Sequence, residues 1–245
     1  MTVCVDEIAK YINDFLDVNK FKDYCPNGIQ VKGTKKVNTI VSGVSANLEL
    51  FKRAKLLQAD LILVHHGLFW HKQSPTLIGP MYDRAKFLLE DGASLLAYHL
   101  PLDAHMLIGN NALLAKALNA KVVGSVGVGV VAELAHEVSS DVFSAKLHQI
   151  LQRKALVFGN NNIKTFGLCS GAAQHEFINA INLGLDAYIT GEVSEFVPAL
   201  AKESGVSYFA AGHHATEVFG VKALGQHLAE KFHLQHDFID ISNSV

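Results

Sequence analysis

The chain has 245 residues, 49% of them apolar and 18% charged, with a formal net charge of −2. That is ordinary globular composition, long enough for one large core or two small ones. Lys and Arg are spread along the chain and build no basic field, which excludes nucleic-acid binding driven by counterion release.

In chain order, Asp6–Leu16 reads as an opening helix with apolar positions at helical spacing. Short Val/Ile/Leu-rich runs then alternate with longer helical patterns, the mark of an α/β fold with crossover helices. Strands are expected at Asn38–Gly43, Leu61–His65, Leu95–His99, Thr165–Cys169, Ala187–Thr190, Ser207–Ala210 and Asp237–Asp240. Helices are expected near Glu49–Gln58, Tyr82–Asp91, Asn111–Leu118, Asp141–Arg153, Glu176–Gly184, Glu195–Glu203 and Val218–Phe232. Val122–Ala132 carries no charge but three glycines, and reads as strand and turn. It is far short of the roughly 20 residues that span a bilayer, so no membrane partner is expected. MTVCVDEIAKYIND shows early acids and no apolar run, hence no signal peptide. Cys4, Cys25 and Cys169 lack metal-type pairing and read as reduced thiols of a cytoplasmic protein.

Two stretches resemble each other: SGVSANLELFKRAKLLQADLILVHHG from Ser42 and CSGAAQHEFINAINLGLDAYITGE from Cys169. Each runs from a strand through a small-residue turn and a helix to an Asp-led apolar strand. Aligning Asp60 with Asp186 sets His65–His66 opposite Gly191–Glu192. Either the chain contains a repeat, or two ordinary βαβ units look alike. Two lobes are expected, 1–122 with the HHG and HLPLD motifs and 123–245 with GEVSE and GHHATE, the C-terminal part free to pack back on the first.

The polar clusters fall where a strand ends, and open α/β sheets bind ligands outside the carboxyl ends of their strands. LILV delivers His65 and His66, followed by Gly67. Neighbours within a strand face opposite ways, so the pair is either one buried and one exposed ring or two rings serving two adjacent ions. In HLPLDAH, Pro101 favours an extended exit that presents Asp103. Asp103 suits a divalent cation or caps the helix that follows. In GHHATE, a helix starting at His213 would put His213 and Glu217 on one face. His214 would point a quarter-turn away, toward proton transfer or an outer shell, with Thr216 of similar rank. Imidazole and carboxylate without cysteine point to zinc, iron, manganese or nickel. Five ligands exceed the usual four on one zinc, and sharing them between two metals about 3.5–4 Å apart resolves the excess.

With PNGIQV at Pro26–Val31, SGVSA at Ser42–Ala46, VHHGLFW at Val64–Trp70, YHLPLDAH at Tyr98–His105, GNN at Gly109–Asn111, ITGEVSE at Ile189–Glu195 and AAGHHATE at Ala210–Glu217, the chain resembles the GTP cyclohydrolase I type 2 homolog family (NIF-three-like), in its bacterial YbgI-like branch. The resemblance spans essentially the whole length. It implies two interlinked α/β lobes with a dinuclear metal site at the carboxyl ends of strands between them. It implies the ligands His65, His66, Asp103, His213 and Glu217, and a ring-shaped homohexamer.

The expected function is a hydrolase that depends on two divalent metal ions and acts on a small molecule. In its cyclohydrolase version, hydroxide attacks C8 of a guanine nucleotide and opens the imidazole ring. His214 and Glu217 are the catalytic candidates; His99 and His105 are lesser proton shuttles, and Glu192 is an outer-shell candidate. Phe69 and Trp70 either stack on a base or serve as core or subunit contacts. No G-x-x-x-x-G-K-[ST] loop is present to favour GTP. The competing readings are a regulatory or metal-handling protein without turnover, and a scaffold stabilised by metal.

Overall fold

The computed structural model describes residues 2–245. Its elements are α1 (Val5–Phe15), β1 (Gly28–Val31), β2 (Thr39–Ser45), α2 (Leu48–Leu56), β3 (Leu61–His66), α3 (Gly79–Asp91), β4 (Ser94–Ala97), α4 (Leu100–Ala104), α5 (Asn110–Ala117), β5 (Ala120–Val126) and β6 (Gly129–Val138). They continue as α6 (Ser140–Leu151), β7 (Leu156–Phe158), β8 (Ile163–Leu168), α7 (Phe177–Asn182), β9 (Ala187–Thr190), α8 (Val197–Ser204), β10 (Ser207–Ala210), α9 (His213–Phe232) and β11 (Gln235–Phe238). Asn47 starts α2 by accepting from Leu50 N, and Gly92, in the left-handed region, ends α3.

The chain divides into two compact units. The first runs to Leu102 and takes up Gly220–Ser242; the second comprises Asp103–Phe219 and Asn243–Val245. The crossing comes earlier than the expected boundary after Val122. Leu114, Ala115 and Leu118, on or next to α5, are buried in the second unit's core with Phe143 and Phe166, so α5 goes with the sheet that follows it.

The first unit holds a five-stranded sheet in the order β1-β4-β3-β2-β11. Its β11, β2, β3 and β4 run parallel, and β1 joins β4 antiparallel. Val41, Ile62, Val64 and Leu95 pack on Leu50, Phe51 and Leu88 in its core. The second unit holds a six-stranded sheet, β5-β6-β8-β9-β10-β7, parallel across β8, β9 and β10. Near-continuous apolar strands are what a sheet buried on both faces requires.

The two units repeat one another in detail. Asp60 Oδ2 accepts from the backbone N–H groups of Asn38 and Thr39; Asp186 Oδ2 accepts from those of Lys164 and Thr165. Asp60 N donates to Thr39 O and Asp186 N to Thr165 O. Ser94 N donates to Asp60 O, and Ser207 N to Asp186 O. Each Asp therefore ties the entry of three parallel strands together with the same bonds, which two unrelated βαβ units would not share.

Two local expectations are corrected. Residues 98 and 99 lie beyond β4, and Pro101 sits in the first turn of α4 rather than in an extended exit; a first-turn proline gives up only an N–H that has no helical partner. Helix α9 begins at His213 rather than Val218.

Candidate metal centre

In the first unit the histidines collect at the carboxyl ends of β3 and β4. Alternation would separate His65 from His66, yet at the end of β3 their ring centroids are 4.7 Å apart. The His99 ring lies 5.0 Å from that of His65 and 5.7 Å from that of His66. One ligating nitrogen from each of the three lies within 4.8 Å of the others.

Every one of these rings is held through Nδ1. His65 Nδ1 lies 2.9 Å from the backbone carbonyl of Tyr98, which can only accept, so Nδ1 carries the proton and Nε2 the lone pair. His66 Nδ1 pairs with Ser45 Oγ at 3.0 Å, and His99 Nδ1 with Asp23 Oδ1 at 2.9 Å. Burial opposes ionisation of Asp23, but the hydrogen bond and charge of His99, with the Cys25 N–H and the Asn27 amide, hold its pKa at about 2. The ionised carboxylate fixes the same tautomer in His99. Such partners orient a ligating imidazole and raise its basicity.

The PNGIQV motif is the scaffold for this arrangement. Asn27 Oδ1 accepts from His99 N, and Gln30 Oε1 accepts from Leu68 N just past the two histidines. A side chain at Gly67 would lie 2.2 Å from the Gln30 amide, so glycine is required for that approach. Trp70 packs on the first unit's core and also stands 5.8 Å from His66 and 5.2 Å from His99, ring to ring. Beside it lies a cavity of about 110 Å³ lined by Pro26, Leu68, Phe69 and Met81 among others.

In the second unit, the loops after β8, β9 and β10 are laced together. Gly191 N donates to Gly171 O, and Gly212 N to Gly191 O. Thr216 Oγ1 accepts from Gly171 N and bonds back to the carbonyls of Gly212 and His213. Thr216 thus pins the β8 loop to the first turn of α9. That turn presents His213 and Glu217 on one face, with His213 Nε2 3.1 Å from Glu217 Oε2. His213 Nδ1 lies 2.7 Å from Glu192 Oε1, so Glu192 orients the ring. Burial disfavours the protonated ring, but Glu217 first and Glu192 second push the His213 pKa up to about 9.

Asp103 is buried, 4% exposed. Its Oδ1 accepts from Asn110 Nδ2 and Ser170 Oγ, both at 2.8 Å, so two side chains orient the carboxylate. Asn111 ties in the backbone, donating to Asp103 O and accepting from Ser170 N. Asp103 therefore does not cap α5; side chains hold it. His214 is buried in the first turn of α9, its N–H bonded to Val245 O. His105 Nδ1 instead accepts from the N–H groups of Leu107 and Ile108, a turn-forming role.

These donors fit divalent cations. Four imidazoles have Nδ1 engaged, and Asp103 and Glu217 add buried carboxylates. The buried thiols of Cys25 and Cys169 are pushed up by desolvation and offer no thiolate. Asp23, Asn110, Ser170 and Ser45 escaped sequence reasoning as supporting residues. Three of them lie inside quoted motifs or their repeat equivalent, whereas Asp23 sits in a loop without periodicity.

The His213 value carries a pH prediction. Its pKa of about 9 exceeds the ordinary 6.5, so in metal-free protein this pair's stabilisation is complete below pH 6.5 and lost as pH rises through 9. A cation must displace that proton. Calorimetric metal titration at pH 7.5, in buffers of different ionisation enthalpy, should show about one more proton released by wild type than by His213→Gln, with affinity rising about tenfold per pH unit up to 9. Equal release in both proteins would contradict this.

The Duf34/NIF3 (NGG1p interacting factor 3) family model matches residues 3–244. A protein of Allochromatium vinosum, named GTP cyclohydrolase 1 type 2 homolog, is 44% identical over 98% of this chain and 96% of its own. A Pseudomonas aeruginosa protein of the same name is 42% identical over 99% of each. The solved structure of protein ybgI, of unknown function, superposes with a TM-score of 0.96 at 39% identity, covering 100% of both chains. TTHA1606 of Thermus thermophilus gives 0.91 at 32%, over 98% of this chain and 99% of its own.

Proposed function

This chain belongs to the Duf34/NIF3 family, and from that premise we propose that it is a hydrolase working with two divalent metal ions. The observation that carries the reading is the donor chemistry. His65, His66 and His213 each have Nδ1 engaged by a partner that orients the ring, His213 Nε2 faces Glu217, and the carboxylates of Asp103 and Glu217 are buried. In the proposal these five residues hold the pair, drawn from zinc, iron, manganese or nickel. Bound cations of this kind lower the pKa of water toward neutrality and polarise the bond under attack.

The chain's own residues then have separate tasks. Asn110 and Ser170 fix the Asp103 carboxylate, and Glu192 fixes the His213 ring. Glu217 supplies negative charge between donors, and His214 Nδ1 or Nε2 moves a proton between substrate and solvent. A ring-shaped homohexamer belongs to the same proposal, supported by the family resemblance. Among the described residues no helix is long and apolar enough to cross a membrane.

The reaction to test first is the one in the relatives' name, opening of the guanine imidazole ring of GTP, followed by phosphoesters and amides. Chelator-stripped protein reloaded with each metal should turn over one of these. The rate should fall in Asp103→Asn by more than the about 10–100-fold typical of an outer-shell change. Metal transfer to an apo-enzyme, with no turnover of any substrate, would replace this reading with a metal-handling one.

A further inference from the structure

We propose that Arg153 and Asn243 are positioning residues that strap residues 243–245 across the start of α9 and so fix the turn that carries His213 and Glu217. The inference rests on the proposed metal pair. Neither residue is one of its donors, and neither lies in a motif that carries the family resemblance.

The need for a strap begins in the sequence. The first N–H groups of a helix have no acceptor within it, and a Ser, Thr, Asp or Asn side chain just ahead of the helix normally accepts one. Ahead of the 20-residue α9 stands Gly212, which has no side chain to offer and a φ of +100°. The acceptor comes from elsewhere in the chain: His214 N donates to Val245 O at 3.1 Å.

Two side chains hold that acceptor in place. Asn243 Oδ1 accepts from Val245 N at 3.0 Å, the bond of an Asx turn, which bends the segment. Arg153 Nη1 donates to Ser244 O. Arg153 follows Gln152, whose left-handed backbone ends α6, and its side chain packs against the residue that precedes α9. A Cβ at Gly212 would stand 2.6 Å from Arg153 Cδ and 2.7 Å from its Nε. That Nε is buried without an acceptor among the described residues, so hydrogen bonding at Nε does not dictate where the guanidinium sits. Packing does not hold the segment either, because Asn243, Ser244 and Val245 are all exposed. What these contacts share is the first turn of α9. Thr216 pins that turn to the β8 loop, and the strap pins it at His214, between the two proposed donors.

The test compares wild type with Arg153→Ala, Arg153→Lys and Asn243→Ala, and with Lys154→Ala at the neighbouring exposed lysine as the charge control. Each full chain is stripped with chelator and titrated with Co(II), read by visible absorption, and the His214 amide is followed by hydrogen exchange. Arg153→Ala and Asn243→Ala should speed exchange of that amide. Both should also weaken one of the two Co(II) ions at least about tenfold, as loss of an outer partner does, and shift its absorption band. Arg153→Lys, which keeps a donor for Ser244 O, should recover part of each change, and Lys154→Ala should show none of them. The sign separates positioning from charge, because removing a cation beside a cation site would by Coulomb's law alone tighten binding.

Faster His214 exchange with unchanged Co(II) affinity and absorption would overturn the inference, leaving the strap a helix cap and the metal pair intact. Unchanged exchange in Arg153→Ala and Asn243→Ala would overturn it as well. Should Arg153→Ala fold poorly, Asn243→Ala decides, since that residue is exposed. A wild type that takes up no Co(II) would instead remove the metal pair, and the inference with it.

Discussion

Gly171→Ala should strip metal from the second unit's donors without unfolding the protein. Gly171 has φ of +70°, a region that costs an L-residue about 1–2 kcal/mol. Backbone strain is the smaller part of the effect. A Cβ there would lie 2.2 Å from Glu217 Oε1 and 3.2 Å from His213 Nε2. Glu217 is only 2% exposed, so its carboxylate must leave the face it shares with His213. Gly184 supplies the control: its φ is +66°, yet an added Cβ meets nothing within 4 Å. Both variants should lose similar thermal stability from the backbone, and only Gly171→Ala should lose bound metal. Equal metal content in the two variants would show that the glycine serves the turn alone.

Glu217→Gln is the second large effect, and it acts through charge rather than shape. The substitution keeps the volume but removes the negative charge that faces His213 Nε2 at 3.1 Å. An amide is a poorer oxygen donor to a divalent cation than a carboxylate. With two cations proposed beside it, the lost charge should weaken both and release at least one. In metal-free protein the same variant should lower the His213 pKa, since Glu217 is the main group holding it up. Histidine NMR titration of stripped wild type and variant reads that shift directly.

Much of this was legible in the chain because the parallel strands announce themselves. Residues 187–190 and 207–210 are short, mostly apolar runs between helical patterns, and β9 and β10 have those bounds. The repeat was visible through Asp60 and Asp186, whose hydrogen bonds to two successive N–H groups give the alignment its physical basis. What escaped lay where local pattern is weak. The short antiparallel edge strands β1 and β7 carry no clear alternation. The glycine-rich 122–132 stretch reads as strand and turn but belongs to a full hairpin, β5 and β6.

On sequence alone the start of α9 stays between His213 and Val218 because its first turn, HHATE, is polar and looks like a loop; Thr216 is held there by the β8 loop, a non-local cause. The same holds for the proposed donor set. His65, His66, Asp103, His213 and Glu217 stand out as residue types at strand ends. The groups that orient them do not, because Asp23 reaches His99 from 76 positions away and Ser170 reaches Asp103 from 67. Sequence spacing finds donors on one element and misses partners brought by the fold.

The most direct test of the metal pair is elemental analysis of the chain purified without added metal, beside Glu217→Gln prepared identically. Two divalent ions per chain in wild type, falling to one or none in the variant, is the predicted result. A wild-type chain that holds no metal, even after reconstitution with zinc, iron, manganese or nickel, would contradict the account at its centre.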